Sequence, residues 1–148
     1  MIKLFVLLLM MSAVSKAEEV NCDNAFTTYD MNVCAGHDME QADAKLDKYL
    51  TAAKERYVDE PDVVASLDKS QQAWLTYRQI YCDGIYDLWS DGTIRGVMFA
   101  SCVIALTEQH THQLWLDYLT YMDSTDPILP EPNLARMKET DPNHSSDD

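Results

Sequence analysis

The sequence predicts an all-α protein: a disulfide-stapled three-helix bundle with a short N-terminal arm and a disordered acidic C-terminal tail. Apolar residues recur every three or four positions through most of the stretch from Asp38 to Met122. Only Gly84 and Gly92 interrupt the run from Met39 to Arg95, and no alternating stretch is long enough to suggest a sheet. Cys22, Cys34, Cys82 and Cys102 follow what reads as an export leader, which makes two disulfides the expected state.

The leader is residues 1–17. Lys3 supplies the positive start, Leu4 to Met11 the short apolar run, and Ser15-Lys16-Ala17 a small-x-small cleavage site. The apolar run is shorter than the roughly 20 residues that span a bilayer. Glu18 follows the expected cut, not Cys, so no lipid anchor is expected after cleavage. The mature protein is expected in the periplasm or secreted. Four cysteines allow three connectivities. Proximity, and the local turn that each pair brackets, favour Cys22–Cys34 and Cys82–Cys102.

Residues 18–122 are expected to form one helical domain and 123–148 the tail. In the arm, Thr27 to Cys34 is predicted to form a short helix ended by Gly36. The first long helix is predicted from Asp38, as cap, to Tyr57, with Ala42, Leu46, Tyr49, Leu50 and Ala53 as its stripe. The second starts near Pro61, which suits a first helical turn, with Asp59 or Glu60 as cap. Its stripe is Val64, Leu67, Gln71, Trp74, Tyr77, Arg78, Tyr81 and Ile85. Ser90-Asp91-Gly92 marks a turn. The third helix is predicted from Thr93 to Met122, with Phe99, Cys102, Val103, Leu106, His110, Leu114 and Asp117 on one face. After Met122 come four of the five prolines and few large apolar residues, the composition of a disordered tail.

Charge restricts the partners. The chain carries 25 acidic and 11 basic residues. Loss of Lys3 and Lys16 with the leader leaves nine basic residues against 25 acidic, a net charge of about −16. Nucleic acid and anionic membrane surfaces are therefore poor partners, and a basic protein is a better one.

The second helix contains Gln71-Gln72-Ala73-Trp74-Leu75-Thr76-Tyr77-Arg78-Gln79-Ile80-Tyr81-Cys82. This string resembles the signature of the LprI-type lysozyme-inhibitor family, small exported bacterial proteins. The pattern is a Gln, a Trp three residues on, an aromatic-Arg pair, and a Cys four residues after the Arg. Gln71, Trp74, Tyr77, Arg78 and Cys82 fill it. Ala42-Asp43 with Leu46, Gly92-Thr93, and Cys102 before Leu106-Thr107 agree in order, so the resemblance spans about residues 22 to 117. The chain departs from the pattern at Asp47, where Asn is usual, and at His110, where Arg is usual. The resemblance implies an all-α, non-enzymatic inhibitor with lysozyme as target.

Read on their own, Gln71, Trp74, Arg78 and Cys82 share one helical stripe. An Arg in such a stripe cannot lose its charge and demands a carboxylate, for which Asp43 is the candidate. This favours a structural lock over a recognition patch. The loop closed by Cys82–Cys102 is worth about 3 kcal/mol in a chain-entropy account. It would stiffen the turn from Leu88 to Arg95. Trp89, Asp91 and Arg95 there are the expected partner contacts, because Trp and Arg are enriched at binding hot spots.

Chemistry beyond binding finds little support. His110 and His112 would point about 200° apart on a helix and cannot chelate together, so no metal or cofactor is expected. His110 reads as a hydrogen-bonded core residue. No phosphate loop or nucleophile motif is present, and a hydrolase has no supporting pattern. Two functions remain: an inhibitor that binds and blocks muramidases, or a non-enzymatic cell-envelope interaction or immunity protein directed at another exported protein.

Overall fold

A computed structural model describes residues 20–133. The expected leader at 1–17 and the end of the tail, 134–148, lie outside the described residues. One 3-10 turn at Cys22–Asn24 precedes three helices: α1 at Thr28–Arg56, α2 at Pro61–Leu88 and α3 at Arg95–Leu114. A π-helical turn at Trp115–Leu119 continues α3. No strand occurs among the described residues. The all-α, three-helix expectation holds.

The first helix is longer than expected, and the short helix of the arm is its N-terminal part. Thr27, not Asp38, is the cap. Its Oγ1 accepts from the Asp30 N–H at 3.1 Å, and the Asp30 carboxylate accepts from the Thr27 N–H at 3.1 Å. Hydrogen bonding to the carboxyl from the Thr27 side chain first, and then from the Thr27 backbone, holds the Asp30 pKa below its usual value. Gly36 does not end the helix. It lies inside α1 with ordinary helical φ, and a Cβ there would meet nothing within 4 Å. One interior glycine costs about 1 kcal/mol relative to alanine. That is too little to break a helix with a complete capping box upstream.

Pro61 opens α2 as the first-turn residue, as expected. Glu60 occupies the cap position but makes no side-chain cap bond. The third helix starts at Arg95 and gives way to the π turn after Leu114, well before Met122. Arg56 closes that turn. Its Nη1 donates to the carbonyls of Tyr118 at 2.7 Å and Thr120 at 2.8 Å, groups that the end of a helix leaves unsatisfied. Its guanidinium also lies 4.2 Å from the centroid of the Tyr121 ring.

The helix α3 packs against both α1 and α2. Two faces of it are therefore in use. Ala100, Val103, Ile104, Thr107, Thr111 and Leu114 are buried. Val103 and Leu114 of the expected face are among them, while Phe99, Cys102 and His110 of that face reach Tyr86, Cys82 and Trp74 on α2. Asp117, assigned to the same face, is exposed and bonded to Gln113. At one place α1 and α3 come very close: a Cβ on Gly96 would overlap the Asn32 side-chain oxygen.

The large apolar core lies at one end of the bundle. Leu46, Tyr49, Leu50, Ala53, Leu67, Leu114 and Leu119 form it, with Trp74, Trp115, Tyr118 and Leu129 packed around them. The other end has smaller buried residues and is held covalently. Cys22 bonds Cys34, and the fully buried Cys82 bonds Cys102. The connectivity follows sequence order.

The disordered-tail expectation needs correction for residues 123–133. That segment folds back on the bundle. The Leu119 carbonyl accepts from the Ile128 N–H at 2.9 Å. The Leu129 carbonyl accepts from Trp115 Nε1 at 2.9 Å, and the Pro130 carbonyl from the Tyr49 hydroxyl at 2.7 Å. Leu129 packs on the core and Pro132 is buried. The physical reason is that Trp115 and Tyr49 bring polar groups to the core margin, and those groups need acceptors when water is excluded.

Candidate functional site

Gln71, Trp74, Arg78 and Cys82 of the α2 motif face inward, and Tyr77 does not. Arg78 Nη1 donates to the Asp43 carboxylate on α1 and, at 2.6 Å, to Thr107 Oγ1 on α3. Its side chain is 14% exposed and that of Asp43 43%, so the pair sits at the edge of the interior with the carboxylate at the wet side. The guanidinium carbon lies 5.0 Å from the Trp74 ring centroid. The Thr107 hydroxyl in turn donates a hydrogen bond to the Val103 carbonyl at 2.7 Å. One arginine thus ties the three helices together, through charge, hydroxyl and ring.

Trp74 is sandwiched in the same network. The ring of His110 stacks on it with centroids 4.1 Å apart and planes 11° from parallel. His110 Nε2 lies 2.9 Å from Gln71 Oε1. Since the amide oxygen only accepts, that contact places the imidazole proton on Nε2. Burial first, and then the Arg78 charge, push the His110 pKa down to about 4. The ring is neutral at pH 7. Gln71, Trp74, Arg78 and Asp43 therefore meet as an interhelical lock, and His110, expected only as a hydrogen-bonded core residue, joins it. Thr107, named above only as part of the resemblance, was not anticipated as a partner of Arg78, because a threonine in an apolar helix does not announce its partner.

The expected contact residues lie elsewhere, at the junction of α2 and α3. Trp89 caps the C-terminus of α2 and is 41% exposed. Asp91 is exposed. Arg95 is different. Its guanidinium carbon lies 3.6 Å from the Tyr86 ring centroid, with Nε buried against the protein and without a hydrogen-bond partner. Arg95 is thus folded back onto α2. Tyr86 in turn meets Phe99 edge-on at 6.1 Å between centroids. With the Cys82–Cys102 bridge, these contacts make the turn a braced structure that presents Trp89 and Asp91 outward.

Tyr77 and Tyr81 correct the expected stripe of α2. Both are about half exposed, with ring centroids 5.7 Å apart. The spacing of Trp74, Arg78 and Cys82 already contained the signal for Tyr77, because at about 100° per residue these three centre on a face about 100° away from it. No group of three or more His, Cys, Asp or Glu residues able to hold a metal occurs among the described residues. No helix there is long and apolar enough to cross a membrane. An open groove of about 520 Å³ between the end of α1 and the start of α2 is lined by Thr51, Val58, Pro61, Val64 and the Lys54–Asp68 ion pair.

Comparison with known proteins gives two matches. The family model described as Lysozyme inhibitor LprI matches residues 21–114. The chain is also 31% identical over 121 residues to the uncharacterized protein R02472 of Rhizobium meliloti (strain 1021), covering 73% of this chain and 87% of that one. No solved structure matches significantly.

Proposed function

Because this chain belongs to the LprI lysozyme-inhibitor family, we propose that it is an exported, non-enzymatic inhibitor that binds and blocks muramidases. The observation that carries this reading is the family match, which runs from the first cysteine region to the end of α3. Charge and compartment support it. Two disulfides suit an oxidising space outside the cytosol, the periplasm or the exterior. A net charge of −14 for the full chain suits a basic target such as an animal-type lysozyme.

In this reading the lock of Arg78, Asp43 and Trp74 builds the scaffold, and the outward residues recognise the target. Trp89 and Asp91 are the contacts at the braced turn. Arg95, packed on Tyr86, holds that turn in shape from behind. Little conformational entropy is then lost there on binding.

The test is inhibition of cell-wall lysis by a purified animal-type lysozyme, with the protein lacking residues 1–17. Stoichiometric inhibition that persists at moderate salt is the expected result. Retention on immobilised lysozyme that vanishes at moderate salt indicates ion exchange alone. No inhibition at micromolar concentration removes the muramidase and leaves another exported protein as the target.

A further inference from the structure

The 28 residues of α2 include only two that are fully buried, Leu67 and Cys82. On the side away from the lock, large apolar residues stand in solvent: Tyr77, Ile80 at 68% exposure, Tyr81 and Leu88 at 75%. Tyr77, Tyr81, Gly84 and Leu88 follow one another at four, three and four residues, and so share a helix face. Gly84 makes a notch in that face. A Cβ there would meet nothing within 4 Å, so the packing of this chain does not require a glycine, and helix propensity disfavours one. A contiguous apolar face rich in Tyr and Trp is the composition of a binding surface.

Charge identifies the kind of occupant. From Ser70 to Ile94 the only basic residue is Arg78, and it is turned inward onto Asp43 and Thr107. Asp83, Asp87 and Asp91 are exposed along the border of the face. The Tyr77 and Tyr81 rings can receive Lys or Arg side chains by cation–π contact. A second copy of the same acidic chain would bring like charges together.

We propose that the outer face of α2, from Tyr77 through Trp89, is the seat of a basic protein partner, with Gly84 as the notch that admits one of its side chains. That the partner is a muramidase rests on the function proposed above. The face is continuous with the braced turn, since Leu88 and Trp89 belong to both.

The experiment measures the affinity of immobilised animal-type lysozyme for the wild type and for Gly84→Arg, Tyr81→Ala and Gly84→Ala, with melting temperatures as the fold control. Open space around Gly84 and the half-exposed ring of Tyr81 mean that all three variants fold, the two Gly84 variants melting no lower than the wild type. Gly84→Arg fills the notch and adds a like charge, and weakens binding by about a hundredfold; Tyr81→Ala weakens it by about tenfold. Gly84→Ala stays within about threefold of the wild type. Should Gly84→Arg not fold, Tyr81→Ala decides. Binding by wild type, Gly84→Arg and Tyr81→Ala with equal affinity overturns the α2 seat and leaves the inhibitor reading standing. A wild type that does not bind overturns both. A wild-type dimer in sedimentation that Gly84→Arg dissociates assigns the face to a second copy and overturns the proposal.

Discussion

Arg78 and His110 sit in the same lock but respond to different variables. Arg78 is mostly covered, and its removal leaves Thr107, Trp74 and Asp43 without their partner. Breaking a buried pair costs about 3–5 kcal/mol, and an exposed pair about 1 or less. The carboxylate of Asp43 is partly in water, so the two ends are unequal. Arg78→Ala should cost about 3 kcal/mol and Asp43→Asn about 1, read from denaturant midpoints; equal small losses would make the lock an ordinary surface pair. His110 governs pH. Its folded pKa, about 4, lies below the ordinary 6.5, so below pH 6.5 the unfolded chain binds the proton first. Stability from this group is complete above pH 6.5 and is lost as pH falls from 6.5 to 4. The loss should be about 1–2 kcal/mol, allowing for solvent at the half-buried ring. His110→Gln should flatten the stability slope across that window, measured against the wild type so that the carboxylates cancel.

Among the elements, the segment after Met122 behaves least like its composition. Its prolines and acids suggest a chain with nothing to bury, yet Leu129 covers the core and two carbonyls accept from Trp115 and Tyr49. Burial also raises the Tyr49 pKa, which keeps the hydroxyl a donor. A chain ending at Met122 should keep its helical circular dichroism but melt at a lower temperature. Each orphaned donor costs about 1–3 kcal/mol, and the uncovered apolar surface adds to that. An unchanged transition would show that the docked segment contributes no stability. The glycines separate by position in the same way. Gly36 and Gly84 lie in open space, whereas Gly96 lets α3 pass against Asn32.

For the whole molecule, acidity and shape have separate effects. A net charge of −14 acts at long range, and with the proposed basic partner it would mainly set the rate of encounter. In the proposed complex the aromatic face and braced turn would act at contact and set the rate of escape. Raising salt from low to physiological concentration should therefore slow association with lysozyme by tenfold or more, on the order of the gains that steering provides, and change dissociation little. Stopped-flow measurement separates the two. A salt effect confined to dissociation would mean that the charges act at the interface itself.

The helices, the turn at Pro61, the bridges and the Arg78–Asp43 pair were legible because each depends on neighbours in sequence or on a stripe of fixed period. Cys82 and Cys102 flank one turn, and Trp74, Arg78 and Cys82 repeat at helical spacing. Most of these follow from backbone geometry, and the Arg78–Asp43 pair from the demand of a striped arginine for a carboxylate. What lies across the core decided the rest. Only the packing of α3 between two helices shows that it has two working faces. Arg95 reads as a free charge in the chain and is a stacked one in the fold, because Tyr86 lies one turn away on another helix. The segment 123–133 is ordered by donors on Tyr49 and Trp115, far from it in sequence in one case. Local pattern fixes which elements form; the satisfaction of distant polar groups and the choice of buried face exist only once those elements meet.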